Sequence, residues 1–314
     1  MYKHLFGPVP SRRLKMSLGV DLVPHKVCSL NCVYCECGKT TLLTMERKEY
    51  VPTQEVLDEL DHFLQNNQPP DYITFSGSGE PLLHSGTGKI ISYIKDKYPL
   101  IPLAILTNGT LLSGKQIRSE ILKADLVLPS LDAAAERSFV KINRPSKLIG
   151  LKKYIQGLVD FRKEYKGRIW LEIFILPGYN DDDENLAELK KAIKRIKPDL
   201  VQLNSLDRPG VIKNLKPASF KQLDEIIRSW KMKNVEIISS VSERKKVGSF
   251  RKDTEAVILE TIMRRPCTVS DLSDILGIHE NVINKYLSTL ENDNKIKHST
   301  LARGTFYRFN LNKK

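Results

Sequence analysis

The chain reads as an α/β protein, a partial (β/α)6 TIM-like barrel followed by a small winged helix-turn-helix domain. Three observations predict this. Short apolar, β-rich runs alternate with amphipathic helical segments through the first three quarters of the 314 residues, the pattern of a parallel sheet covered by helices. A polar, basic stretch breaks the alternation at 241–252. Beyond it, three helical segments and two short strands follow in winged-helix order. The division is residues 1–240 for the barrel, 241–252 for a linker and 253–314 for the tail.

In chain order, strands are expected at 18–23, 72–76, 103–106, 126–131, 169–176 and 200–206, with a seventh candidate at 235–238. Helices fit between them at 53–65, just after Pro52, and at 89–97, 113–123, 147–165, 182–196 and 219–230. Six such units favour a partial barrel over an open doubly wound sheet, and barrel active sites gather at the carboxyl ends of the strands. Chemistry should therefore follow each strand. Arg244, Lys245, Lys246, Arg251 and Lys252 surround Gly248 in the linker. The tail pattern is a helix at 254–263, Pro266, a helix at 269–276, a turn at Gly277, a helix at 280–290, and strands at 295–299 and 305–310 joined around Gly304.

With 41% hydrophobic and 28% charged residues the composition is that of an ordinary globular chain. Apolar stretches such as 100–106 fall far short of the ~20 residues that span a bilayer. Residues 1–13 hold two prolines and no continuous apolar region, so a secretory signal is not expected, and the chain is placed in the cytoplasm without a membrane partner. Fifty Lys+Arg against 37 Asp+Glu give +13, which favours anionic partners such as nucleic acid or phosphorylated substrates; a lysine-rich proteome gives the same number. Five cysteines, three of them within eight residues, point to metal ligation rather than a disulfide framework.

Those three form Cys28-Ser29-Leu30-Asn31-Cys32-Val33-Tyr34-Cys35, directly after the first strand and its Pro24-His25-Lys26 exit. Thiolates at C-x3-C-x2-C spacing on one compact loop can bind three corners of a cubane cluster and leave the fourth iron open. The alternatives are a zinc site completed by Cys37 or His25, and a redox pair drawn from Cys32 and Cys35.

The loop resembles the signature of the radical S-adenosylmethionine superfamily, including the aromatic, here Tyr34, before the last cysteine, and the resemblance covers essentially residues 1–240. It implies that Cys28, Cys32 and Cys35 hold a [4Fe-4S] cluster whose open iron chelates the amino and carboxylate groups of S-adenosylmethionine. It also implies that one electron, from a reductant such as flavodoxin or ferredoxin, releases a 5′-deoxyadenosyl radical. Ser76-Gly77-Ser78-Gly79-Glu80-Pro81 is similar to the superfamily's Gly-Gly-Glu segment, with Ser78 replacing a glycine. Glycines there let backbone approach a ligand. By resemblance, backbone at Ser78 and Gly79 meets the methionine amino group, and Glu80 and Tyr34 join the cofactor-binding set; a plain turn is the other reading.

Thr107-Asn108-Gly109-Thr110 and Ser130-Leu131-Asp132 place small polar residues at two further strand ends, suited to a carboxylate or a ribose. Superfamily members commonly contact the cofactor at these positions, which makes Thr107, Asn108, Ser130 and Asp132 candidates; capping and turn formation by Asn108, Gly109 and Asp132 is the alternative. Glu172 is a carboxylate in an apolar strand, either a catalytic residue or half of an ion pair under a helix. Gln202 and Asn204 alternate with Val201 and Leu203 and so share a face, as cofactor ligands or as a structural network. Cys37 is either a catalytic or redox thiol near the site or unengaged, and Cys267 a small buried residue.

Residues 7–13, 17–21 and 35–41 resemble a branch of the superfamily grouped with wybutosine-pathway tRNA synthetases. That match stops short of the tail and brings no second cysteine set. Residues 251–314 hold 11 Lys+Arg and 8 Asp+Glu, a net of +3, and the third tail helix, with Glu280 and Glu291, is not basic. From Lys295 onward six basic residues and no acidic one surround Phe306, Tyr307 and Phe309, which are either a phosphate-contacting wing or core. Three functions follow: radical chemistry on a tRNA or another macromolecule, the same chemistry on a protein or small metabolite, or a metal- or redox-sensing regulator.

Overall fold

The computed structural model describes residues 2–11, 13–212, 214–238, 254–301 and 303–310; the expected linker at 241–252 lies outside them. An antiparallel pair, β1 (Leu5–Ser11) and β2 (Lys15–Val20), opens the chain, and the two-residue strands β3 (Val27–Cys28) and β4 (Leu42–Leu43) bracket the cysteine loop. There follow α1 (Thr53–Asn66), β5 (Tyr72–Phe75), α2 (Thr87–Lys97), β6 (Leu103–Thr107), α3 (Lys115–Glu120), β7 (Leu126–Pro129), α4 (Glu136–Asn143) and α5 (Leu151–Glu164). The unit ends with β8 (Arg168–Phe174), α6 (Asp183–Ile196), β9 (Leu200–Asn204), α7 (Phe220–Trp230) and β10 (Val235–Ile237).

The sheet runs β1-β2-β5-β6-β7-β8-β9-β10, and every pairing from β2 onward is parallel. Strand periodicity divides it into two faces. Leu18, Ile73, Ile105, Val127, Leu171 and Val201 point to the helices and are sealed from solvent, each contributing roughly 1.5–3 kcal/mol of hydrophobic burial. On the opposite face Ala104, Leu126 and Leu128 close on Leu14. Toward the carboxyl ends that face turns polar.

Helix ends follow local chemistry. Asp182 accepts from the Asn185 amide at the start of α6, with Asp183 and Glu184 in the first turn and Lys194 and Arg195 in the last, as the helix dipole favours. Ser219 and Gln222 form a capping box on α7. Three features depart from expectation. β1 carries Gly7-Pro8 and reads as a loop, yet it survives at the sheet edge, where a register break between Phe6 and Val9 absorbs the proline. The strand expected at 18–23 starts earlier, at Lys15, because β1 gives it a partner. The short helix α4 fills a stretch for which the sequence pattern predicts no element.

The tail comprises α8 (Thr254–Arg264), α9 (Val269–Leu276), α10 (Glu280–Asn292) and an antiparallel hairpin of β11 (Ile296–Leu301) and β12 (Gly304–Phe309). Ile258, Ile262, Leu272, Ile283, Leu287 and Leu290 form its core, and Val9 of β1 packs against that core. Arg264 pairs with Asp21 at 2.7 Å and lies 4.1 Å over the Phe6 ring. The tail therefore sits on the β1–β2 edge of the sheet. No helix among the described residues is long and apolar enough to cross a membrane.

Candidate active site

The cysteine loop is wired to the barrel from two sides. Backbone bonds from Lys26 to Ser78 O and from Glu80 to Val27 O, both 3.0 Å, tie it to the segment after β5. On the other side the amides of Asn31 and Val33 donate to the Asn143 and Ile142 carbonyls at 3.0 Å, satisfying groups that the end of α4 leaves without helical partners. Cys28, Cys32 and Cys35 stand close enough to disfavour one another's ionisation. Each sulfur meets a side-chain N–H donor: Asn108 Nδ2 at 3.5 Å from Cys28, Asn143 Nδ2 at 3.4 Å from Cys32, and Lys26 Nζ at 3.0 Å from Cys35; the Leu30 amide adds to Cys28 and the Cys37 amide to Cys35.

Burial pushes the Cys28 thiol up to about 11 and Cys32 still higher, Lys26 opposing the rise at Cys28 and Asn143 at Cys32. Cys35 goes the other way. A hydrogen bond from Cys37 lowers it and Lys26 adds to that, against burial, while the same bond raises Cys37. The three thiols sit on one loop within electrostatic reach of one another, each with a donor that favours the anion, which suits a multi-iron cluster; among the described residues no three or more His, Cys, Asp or Glu side chains are grouped so as to hold a single metal ion.

The strand-end polar residues are brought together, and mostly hold each other. Buried Glu80 accepts from Thr107 Oγ1 at 2.7 Å, the Asn108 amide at 2.7 Å and the Leu82 amide at 3.1 Å; burial nonetheless lifts its carboxyl to about 7. Asn108 also reaches Ser29 Oγ at 2.8 Å. Ser130 offers its carbonyl to the Tyr154 hydroxyl, which also lies 2.8 Å from Asn108 O. Asp132 accepts from Tyr34 OH at 2.5 Å, Asn143 Nδ2 at 2.6 Å and the Phe174 amide at 2.9 Å, and burial raises it to about 6. The Tyr34 ring stacks on Phe174, centroids 3.8 Å apart.

At Gly79 a Cβ would lie 2.1 Å from Val27 O and 2.8 Å from a Val23 methyl, so the missing side chain makes room for the cysteine loop. At Gly77 a Cβ would meet Asp21 Oδ1 at 1.9 Å. Ser78 is buried, its amide 3.3 Å from the same oxygen.

Glu172, Gln202 and Asn204 share the face opposite the helices, with Glu172 directly beside Gln202. Glu172 forms an ion pair with Arg13 from the β1–β2 turn. Gln202 Nε2 donates to Glu236 at 2.9 Å, while its Oε1 is buried without a partner among the described residues. Asn204 Oδ1 accepts from the Ser205 amide. Cys37 lies at the junction of two cavities. One, of about 320 Å³, opens between Ser76-Gly77, Phe6 and tail residues Val257 and Arg264; the other, of about 270 Å³, lies between Gly210, Pro266 and the hairpin.

Sequence reasoning missed Lys26, Asn143, Tyr154, Arg13 and Arg208. Arg208 is 2% exposed and lies 3.3 Å from Glu36 and 3.6 Å from Asp271 Oδ1, linking the cysteine loop to the tail. Only Lys26, adjacent to the motif, left a local signal.

The Radical SAM superfamily model matches residues 22–190. A Brachyspira hyodysenteriae protein named GTPase Obg is 37% identical over 311 residues, 98% of this chain, which spans only 45% of that relative's length. A UPF0026 protein of Methanocaldococcus jannaschii is 32% identical over 308 residues, covering 93% of this chain and 94% of its own. Among solved structures, a radical SAM methyltransferase from Sphaerobacter thermophilus superposes with a TM-score of 0.55 at 16% identity, over 70% of this chain and 65% of that one, and so shares the fold. Members of the matched family use a [4Fe-4S] cluster and S-adenosylmethionine, and since the match spans more than half of the residues, the chain belongs to the radical SAM superfamily.

Proposed function

We propose that the protein is a cytoplasmic radical S-adenosylmethionine enzyme that abstracts hydrogen from a substrate admitted between barrel and tail. The observation that carries this reading is the placement of Cys28, Cys32 and Cys35 on one loop, with a side-chain N–H donor to each sulfur, where the parallel strands end. These three residues would hold the cluster. When bound, cluster and cofactor supply a one-electron cleavage, fed by a flavodoxin- or ferredoxin-type reductant, that yields a 5′-deoxyadenosyl radical. The chain's own part is positional. Asn108, Asn143 and Lys26 orient the sulfurs, while Glu80 and Asp132 fix the loops that carry them.

The succession α8–α9–α10–β11–β12 supports reading the tail as a winged helix-turn-helix that docks the substrate. Residues 7–13, 17–21 and 35–41 support placement near the wybutosine-pathway branch. Anaerobic reconstitution tests the whole: about four iron and four sulfide per chain are expected, and 5′-deoxyadenosine on adding dithionite and S-adenosylmethionine. Single Ala replacements of Cys28, Cys32 or Cys35 should abolish both, whereas Cys37→Ala should keep the iron. Iron without cofactor cleavage would favour a sensor, and cluster loss in Cys37→Ala would count against a three-thiol site.

A further inference from the structure

The two cavities meet at Glu36, Cys37 and Arg265, which line both. The outer one is ringed by His25 and three permanent cations, Arg265 from the end of α8 and Lys297 and Arg308 from the hairpin. None of these three has a carboxylate within 4.0 Å among the described residues. Their neighbours are different: Arg264 holds Asp21, Lys295 holds Glu255 and Asp293, and Arg303 holds Asp271 and Asp207. Glu36, the one carboxylate lining the outer cavity among the described residues, is engaged by Arg208 at 3.3 Å.

Lys297 and Arg308 are also direct cross-strand partners, an arrangement in which like charges destabilise a hairpin. Arg265 is only partly exposed and lies near Arg208, and a guanidinium keeps its charge there. Among the described residues the fold gathers cations without a carboxylate partner around one mouth, a departure from local charge balance of the kind that functional sites show. The mouth also leads inward past Cys37 to Ser76 and Gly77, beside the cysteine loop.

Building on the function proposed above, we infer that the outer cavity binds a phosphoryl group of the substrate, held by Arg265, Lys297 and Arg308, so that the remainder of the substrate enters the inner cavity. Arg265 and Arg308 supply fork-shaped donors that match phosphate oxygens, and Lys297 supplies a point charge. The inner cavity, walled by Phe6, Val9, Leu106, Val257, Ile275 and Leu276, then receives a less polar group. The phosphoryl group has two chemical sources, the terminal phosphate of a small metabolite or the backbone of a single-stranded nucleic acid.

Equilibrium titration of the anaerobically reconstituted full chain distinguishes them, with inorganic pyrophosphate and a short fluorescein-labelled ribo-oligonucleotide as probes. For the backbone source, the oligonucleotide binds, and Lys297→Gln and Arg308→Gln each weaken it roughly tenfold, the loss of one hydrogen bond to a charged group. Each should also flatten the slope of log affinity against log salt by about 0.7. For the metabolite source, pyrophosphate binds with the same losses, greatest in Arg265→Gln, and the oligonucleotide does not. If neither probe binds, or both variants of the exposed hairpin cations bind like the unaltered chain, the site is wrong. Binding is read without turnover. A chain that binds a probe but holds no iron counts against the radical reading alone, and one that holds iron and cleaves the cofactor yet binds neither probe counts against this site alone.

Discussion

Replacing Asp271 with Asn tests whether the tail is clamped to the barrel by charge. Asp271 is 2% exposed; Arg303 grips it through both oxygens at 3.1 and 2.8 Å, and buried Arg208 lies 3.6 Å away. Burial alone raises its carboxyl, but Arg208, the Thr268 amide and Arg303 outweigh this and bring it from 3.8 to about 2. A folded pKa below the unfolded one stabilises the fold above the unfolded value. The contribution is complete above pH ~4 and disappears as pH falls toward 2. At roughly 1.4 kcal/mol per unit, the shift amounts to about 2 kcal/mol at neutral pH.

Asn is the informative substitution because it still accepts from the Thr268 amide, now 3.0 Å from Asp271 Oδ2, and keeps the capping box of α9. The change removes the charge and one of the two oxygens that Arg303 holds, and leaves the cap acceptor in place. The loss is bounded by about 2 kcal/mol, a factor of roughly 30 in the tail's opening equilibrium, so amides of α9 and α10 should exchange hydrogen faster at pH 7 by up to about 30-fold. Hydrogen exchange read by mass spectrometry measures this directly. Added salt should reproduce little of the effect, since the network is buried. Exchange unchanged within about threefold would show that the ion network does not hold the tail, and the argument from Arg208 would fail.

Two further outcomes follow from the same contacts. Gly79→Val should reduce the iron content after reconstitution as well as cofactor binding, because the new Cβ would occupy the position of Val27 O, 2.1 Å away, and displace the strand that carries Cys28; an iron and sulfide assay at the unaltered level would mean that the loop yields. Truncation after Arg244 should leave the cluster assembled, since the thiols and their donors precede that point, but should lower the unfolding midpoint by several degrees by stripping Arg208 and Asp21 of Asp271 and Arg264. A midpoint equal to that of the full chain would remove those contacts from the stability of the barrel.

What the sequence made legible depends on how local the cause is. The run at 103–106 became β6 because residues there are buried on both faces of a parallel sheet, which leaves an uninterrupted apolar signature. The cysteine triad was legible because its spacing lies within one loop. β1 was not, since prolines exclude a strand from a sheet interior and only the assembled fold shows that it occupies an edge. Asn143 was invisible for a related reason: it meets Cys32 across 111 positions, and only the packing of α4 against the cysteine loop makes it a partner.

The strand-end carboxylates show where motif reading stops and geometry must take over. Glu80 and Asp132 occur where ligand-binding residues are expected, yet each accepts three hydrogen bonds from the protein. A carboxylate has four lone-pair sites, so little capacity remains for a ligand. Their effect lies one step back. Glu80 joins the segment after β5 to Thr107 and Asn108, and Asn108 reaches both Cys28 and Ser29; Asp132 joins β7 to Tyr34 and, through Asn143, to Cys32. Both carboxylates thus end on a cysteine by way of an asparagine. Loops at strand ends are otherwise the most mobile part of such a fold. Cross-linking them through buried, nearly saturated acids fixes the sulfurs before any cofactor arrives, and preorganised donors need no rearrangement when charge is added to a site. On this argument the motif glutamate and aspartate hold in place the loops that carry the thiols.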